Sequence, residues 1–139
     1  MEVNAMFQIL IAEDDKNTRK LMEAVLKCNG FNPIPASSGE EALKLLDRHH
    51  IDLAVLDIMM PGMDGYELTR HLRSMDYNLP ILMVTAKVLP EDKRKGFMAG
   101  TDDYMTKPVD EEEMVLRIRA LLRRAQIASE RKITIGSVT

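Results

Sequence analysis

The sequence predicts an α/β fold, a five-stranded parallel sheet doubly wound with helices on both faces, on three observations. Continuous apolar runs at Ile9–Ala12, Leu53–Leu56 and Ile81–Val84 each stop abruptly at polar residues. Runs that are apolar at every position, rather than at alternate ones, suit strands covered on both faces. Stretches of helical period separate these runs, and alternating β and α segments of this length imply right-handed crossovers. Finally, 139 residues, 45% hydrophobic and 29% charged, fit one compact domain with a core of its own.

Taken in order, Ile9–Ala12 is the first strand and ends at Glu13-Asp14-Asp15. Leu21, Met22, Val25 and Leu26 then form one stripe of a helix that closes near Gly30. Pro33–Ala36 is a weaker second strand, placed at the sheet edge because Pro33 and Pro35 each remove a ladder donor. Ser38-Gly39-Glu40-Glu41 has the spacing of a capping box ahead of Ala42, Leu43, Leu45 and Leu46. Leu53–Leu56 is the third strand, and Asp64-Gly65-Tyr66-Glu67 repeats the capping signal before Leu68 and Leu72. After the fourth strand, Pro90 opens a shorter helix running to about Met98. Asp103–Met105 is a weak fifth strand. Asp110–Glu113 gives the last helix a negative first turn suited to the helix dipole, with Arg123 and Arg124 at its other end.

Composition excludes several functions. A net charge of -3 does not fit a basic nucleic-acid-binding chain, and the single Cys28 excludes an internal disulfide or a multi-cysteine zinc site. No apolar run approaches the roughly 18 residues of a membrane span. Met1–Gln8 lacks the layout of a secretory signal. The expected location is the cytoplasm, with no membrane partner.

If the strand order is 2-1-3-4-5, ligands sit beyond the C-terminal strand ends at the switch point between the first and third strands. There the first strand delivers Glu13, Asp14 and Asp15, whose mutual repulsion a hard cation such as Mg²⁺ would relieve. The plainer alternative is that Asp15 caps the first helix while its neighbours face water. The third strand delivers Asp57, either turn chemistry or a carboxylate nucleophile beside the first two acids. Thr85 closes the fourth strand; its β-branch alone explains it, yet its hydroxyl can donate to an anionic oxygen. Lys107 follows the fifth strand as a long ammonium arm able to reach a phosphoryl oxygen, and Lys107-Pro108 is a candidate cis bond.

Acid, acid, hydroxyl and amine therefore come from successive strand ends. Glu13-Asp14, Asp57 with the following Met-Met-Pro-Gly-Met-Asp-Gly, Thr85-Ala86, and Asp102 through Pro108 together resemble the receiver domain of bacterial two-component response regulators. The resemblance covers about residues 7–125 and implies a CheY-like (flavodoxin-like) sheet. It implies that Asp57 is the phosphoacceptor for a sensor histidine kinase. Mg²⁺ would be held by Glu13, Asp14, Asp57 and the backbone carbonyl of Met59. Thr85 and Lys107 would bind phosphoryl oxygens, and Tyr104 would be the switch aromatic that turns inward. The chain would be a signalling phosphoacceptor rather than an enzyme, phosphorylating and dephosphorylating only itself.

Within that family the charges of the last elements and the tail resemble the OmpR/PhoB-type, winged-helix regulators. Their dimer face of fourth helix, fifth strand and fifth helix would map onto three pairs: Lys93 with Glu113, Asp103 with Arg117, and Asp102 with Arg124. The alternative is that these charges are only a solvated surface. A homodimer formed on phosphorylation is the expected output. Residues 126–139 read as a linker followed by a strand-like ending, Ile133 to Thr139, resembling the start of a winged-helix domain. DNA would be contacted only through that output domain, which is not in this chain. A Mg²⁺-dependent phosphohydrolase of the haloacid-dehalogenase type is the chief rival, but it needs a second Asp where Met59 stands, and methionine transfers no proton.

Overall fold

The computed structural model describes residues 6–75 and 77–138, with side chains through Gln126. Strands and helices alternate throughout: β1 (Gln8–Ala12), α1 (Lys16–Cys28), β2 (Asn32–Ala36), α2 (Gly39–Arg48), β3 (Leu53–Leu56), α3 (Gly65–Ser74), β4 (Ile81–Thr85), α4 (Pro90–Ala99), β5 (Asp103–Thr106) and α5 (Glu111–Val138). The five strands form one parallel sheet in the order β2-β1-β3-β4-β5. Pro33 and Pro35 thus lie on an edge strand, as their missing donors require.

Successive strand residues point to opposite faces, and the two cores divide by that period. Ile9, Ile11, Leu53, Val55, Leu82 and Val84 pack with Met22, Leu26, Met114 and Ile118 beneath α1 and α5. Leu10, Ala12, Ala54, Leu56 and Ile81 pack with Ala42, Leu46, Leu68 and Leu72 beneath α2 and α3. A third, smaller cluster of Ile58, Tyr66, Met83, Ala99 and Tyr104 lies apart from both.

The helix starts refine the sequence expectations. Asp64 and Glu67 make the full reciprocal box at α3. At α2 only half of it forms. Ser38 Oγ accepts the Glu41 N–H at 3.1 Å, but the Glu41 carboxylate reaches past Ser38 to the Ser37 N–H at 2.6 Å. That contact holds the Glu41 carboxyl below the usual carboxylate range.

At the other end of the chain, α5 continues without a break to Val138, so residues 133–138 are helical where a strand was expected. The physical reason is local. A helix satisfies its backbone groups within one segment, whereas a strand needs a neighbour, and the described strands all belong to the one sheet. Thr139 lies outside the described residues.

Candidate functional site

Register places the site. Ala12 of β1 pairs with Leu56 of β3, so the next residue on each strand, Glu13 and Asp57, emerges at the same end of the sheet. Asp57 N–H donates to Ala12 O at 2.9 Å, and Glu13 N–H donates to Ala36 O at 3.1 Å, which extends both strands by one hydrogen bond. On the far side Thr85 pairs with Thr106, and Lys107 N–H donates to Thr85 O at 2.8 Å. The Lys107-Pro108 bond is cis.

The loop after Asp57 is pinned at several points. Gly65 N–H donates to Ile58 O at 2.9 Å, and a Cβ on Gly65 would stand 2.3 Å from Asp57 O. Only glycine lets the start of α3 approach the acceptor strand so closely. Glu40 of α2 accepts the Met63 N–H at 3.3 Å and lies against Gly62, whose φ is +77°. Met59 N–H donates to Asp57 Oδ1 at 3.2 Å, while the Met59 side chain is exposed.

Lys107 crosses from β5 to the acids. Its Nζ is 2.8 Å from Asp57 Oδ2 and 2.7 Å from Glu13 Oε1. Glu13 is fully buried, and burial pushes its carboxyl above the usual value. The Lys107 ammonium and the Asp15 N–H pull in the other direction, and the Asp57 charge adds to the rise. For Lys107 burial alone would lower the pKa, but hydrogen bonds and charge from Asp57 and Glu13 outweigh it and raise it. The ammonium therefore stays charged.

The acids suit a hard cation. One carboxylate oxygen from each of Glu13, Asp14 and Asp57 lies within 4.8 Å of the others. Glu13 Oε1 is buried and is met by Lys107 Nζ as a 2.7 Å ion pair, with no other polar partner among the described residues. An all-oxygen donor set with one open face is what Mg²⁺ takes, with waters filling the remaining positions. Asp15 belongs to the plainer alternative, since it caps α1 by accepting the Thr18 N–H at 2.8 Å, which with the Thr18 hydroxyl lowers its pKa.

Thr85 is buried at the end of β4, and its Oγ1 accepts the Lys87 N–H at 3.4 Å. Tyr104 is already turned inward. The residue is 7% exposed, its hydroxyl donates to Lys87 O at 2.8 Å, and burial pushes its pKa up.

The six charges assigned to a dimer face behave differently from one another. Arg117 pairs within the chain, to Asp103 at 2.9 Å and to Glu113 at 2.8 Å, contacts that raise its pKa. Asp102 is a clamp: its Oδ2 accepts both Arg73 and the Ile81 N–H at 2.8 Å. Lys93 Nζ lies 6.0 Å from the Tyr104 ring centre, and Arg124 lines a shallow groove with Asp103, Glu113 and Arg117.

Sequence reasoning missed Arg73, which also donates to the carbonyls of Tyr77, Leu79 and Gly100 and so ties the end of α3 to the approaches of β4 and β5. Nothing in its sequence neighbourhood distinguishes it from a solvated helix arginine. It also passed over Glu40, which was read only as part of a helix cap.

Comparison with known proteins agrees with this geometry. The response regulator receiver domain model matches residues 9–119. The heme response regulator HssR of Staphylococcus aureus is 43% identical over 134 residues, covering 96% of this chain and 59% of that protein. The chain thus spans about three fifths of the length of the curated relatives it matches. Among solved structures, the Francisella response regulator 1452 receiver domain superposes with a TM-score of 0.81 at 35% identity, covering 85% of this chain and 98% of that one. The Vibrio cholerae chemotaxis protein CheY4 gives 0.80 at 28% identity, covering 84% and 99%. With the family model spanning most of the chain and HssR 43% identical over nearly all of it, the chain belongs to the response regulator receiver domain family, the receiver of a two-component response regulator.

Proposed function

We propose that Asp57 accepts a phosphoryl group from a phosphohistidine on a sensor histidine kinase in the cytoplasm. The observation that carries this reading is the position of Lys107 Nζ, seated between the carboxylates of Asp57 and Glu13 from the end of β5, two strands from β3 and three from β1. Glu13, Asp14 and Asp57 would hold Mg²⁺, joined by the Met59 carbonyl. The ion supplies charge neutralisation of the phosphoryl oxygens. Asp57 supplies the nucleophilic oxygen, Lys107 a fixed positive charge for the transferring group, and Thr85 a hydroxyl for another oxygen. Phosphoryl transfer needs little more than such alignment and charge stabilisation. The chain is then a phosphoacceptor acting on itself, not an enzyme with a turnover substrate. In the test, the protein is incubated with acetyl phosphate and Mg²⁺ and its intact mass is measured. A gain of one phosphoryl group, lost in Asp57→Asn, is expected; equal gain in the variant would refute the assignment.

The OmpR/PhoB-type output is the finer part of the proposal. Phosphorylation would favour a homodimer through α4, β5 and α5, with Lys93, Glu113, Asp102, Asp103, Arg117 and Arg124 at the contact. DNA binding would belong to an output domain in the whole protein, a reading supported by the greater length of HssR. Because Arg117 already holds Asp103 within one chain, dimerisation would exchange or share that pair rather than create it, so its gain in free energy is modest. Sedimentation with Mg²⁺ and beryllofluoride is expected to show a dimer that the untreated protein lacks. An unchanged monomer would remove this part of the reading.

A further inference from the structure

We infer that Tyr66 is a positioning residue for α4: its hydroxyl ties the first turn of that helix to the segment carrying Asp57, at a different carbonyl from the one held by its neighbour Tyr104. The inference rests on the reading of Asp57 as the acceptor for its functional meaning, though not for the tie itself. Tyr66 occupies the first turn of α3, is 6% exposed, and donates its hydroxyl to Asp92 O of α4 at 3.1 Å. Its backbone is anchored to the segment that follows the acceptor strand. The preceding residue, Gly65, bonds to Ile58 O and stands so close to Asp57 O that no Cβ fits between them, and Thr69 Oγ1 fixes Gly65 O at 2.8 Å.

The partner helix is lightly held elsewhere. α4 buries only Gly96 and Ala99, leaving Phe97 and Met98 exposed. Its inner face rests on the small cluster of Ile58, Tyr66, Met83, Ala99 and Tyr104 rather than on either main core. A Cβ on Gly96 would touch Met83 Sδ at 3.0 Å and the Tyr104 ring at 3.2 Å, so the helix lies directly on that cluster. Two hydroxyls therefore grip this region at different points. Tyr104 holds Lys87 O in the loop before α4, and Tyr66 holds Asp92 O inside it.

An aromatic ring in this cluster needs no hydroxyl for packing, and a phenylalanine would fill the same space. What the hydroxyl adds is a directional bond to one carbonyl of a helix with little else to fix it. Lys95 Nζ lies 4.9 Å from the Tyr66 ring centre and covers its outer face, so a second α4 side chain is registered on the same residue. A displacement of the Asp57–Ile58 segment would pass through Gly65 to Tyr66 and from its hydroxyl to α4. The route through Thr85 and Tyr104 uses other strands.

Hydrogen exchange across 91–97 tests this in the parent, Tyr66→Phe, Tyr104→Phe and the double variant, each with and without Mg²⁺ and beryllofluoride. In the untreated protein Tyr66→Phe is expected to speed exchange in α4 by about threefold to tenfold, the loss of one neutral hydrogen bond. Exchange in β1 and β3 should stay unchanged. Beryllofluoride should then shift α4 exchange less in Tyr66→Phe than in the parent, and the double variant should combine both losses. Exchange in α4 equal to the parent's would overturn the inference, as would a uniform rise that includes the sheet, since that reports only lost global stability. A parent that gains no phosphoryl mass from acetyl phosphate would refute the acceptor reading instead, and the untreated comparison would still decide the tie.

Discussion

Lys107→Met is expected to slow phosphoryl uptake from acetyl phosphate by about a hundredfold or more, the usual cost of removing one preorganised charge from a transferring group. Methionine keeps most of the stem volume, so the change is mainly electrostatic. The same substitution leaves Glu13 and Asp57 facing each other without the ammonium now 2.7 and 2.8 Å away. Removing one partner of a buried ion pair costs about 3–5 kcal/mol. The Lys107 side chain is 20% exposed, so about 2 kcal/mol is the better expectation here. A cation added to the acidic cluster would restore much of the missing charge. Mg²⁺ should therefore stabilise Lys107→Met by more than it stabilises the parent, whose own gain would be about 2.7 kcal/mol at a hundred times Kd. Thermal unfolding with and without Mg²⁺ measures the difference. A smaller Mg²⁺ effect in the variant would mean that the lysine and the ion do not share one site.

Gly65→Ala should be the most damaging single methyl group at the site. Its Cβ would stand 2.3 Å from Asp57 O, 2.7 Å from Ile58 Cα and 2.9 Å from Asp57 C, all backbone atoms with no rotamer to yield. Either α3 lifts away from the sheet or the acceptor segment shifts, and a forced backbone displacement of this kind costs about 3 kcal/mol or more. Phosphoryl uptake should fall with it, because Asp57 moves relative to Lys107. Gly30→Ala is the matching control. Gly30 has a φ of +83° but open space around it, so only the strained conformation, about 1 kcal/mol, is at stake and uptake should stay normal. Urea unfolding of the two variants would separate them; equal losses would show that the close approach at Gly65 is relieved without consequence.

The frame of the site was legible in the sequence because it is set by strand ends. Where an apolar run stops, the next side chain emerges at the edge of a parallel sheet, so Glu13, Asp57, Thr85 and Lys107 could be placed without coordinates. Capping residues gave α3 its start for the same reason: Asp64 and Glu67 act within four residues of each other. Contacts made across the fold were not legible. Arg73 reaches the Gly100 carbonyl only after α3, β4 and β5 have assembled, and Asp102, read as a dimer-face partner of Arg124, accepts that same arginine and the Ile81 N–H while staying exposed. Glu41 missed its expected partner by one residue, accepting the Ser37 N–H and hydroxyl instead. The ending of α5 differed for another reason. A β-rich heptapeptide has strand propensity, but propensity makes a strand only where a neighbouring strand is available.

Chemical mapping of the modified carboxylate tests the central claim most directly. Borohydride reduces an aspartyl phosphate to homoserine, so peptides from protein treated with acetyl phosphate and Mg²⁺, then reduced, should carry homoserine at position 57 alone. Omitting Mg²⁺ should remove that signal. Homoserine at position 14, or an equal yield at 57 without the ion, would contradict the account of a single acceptor oxygen held between a metal-binding cluster and Lys107.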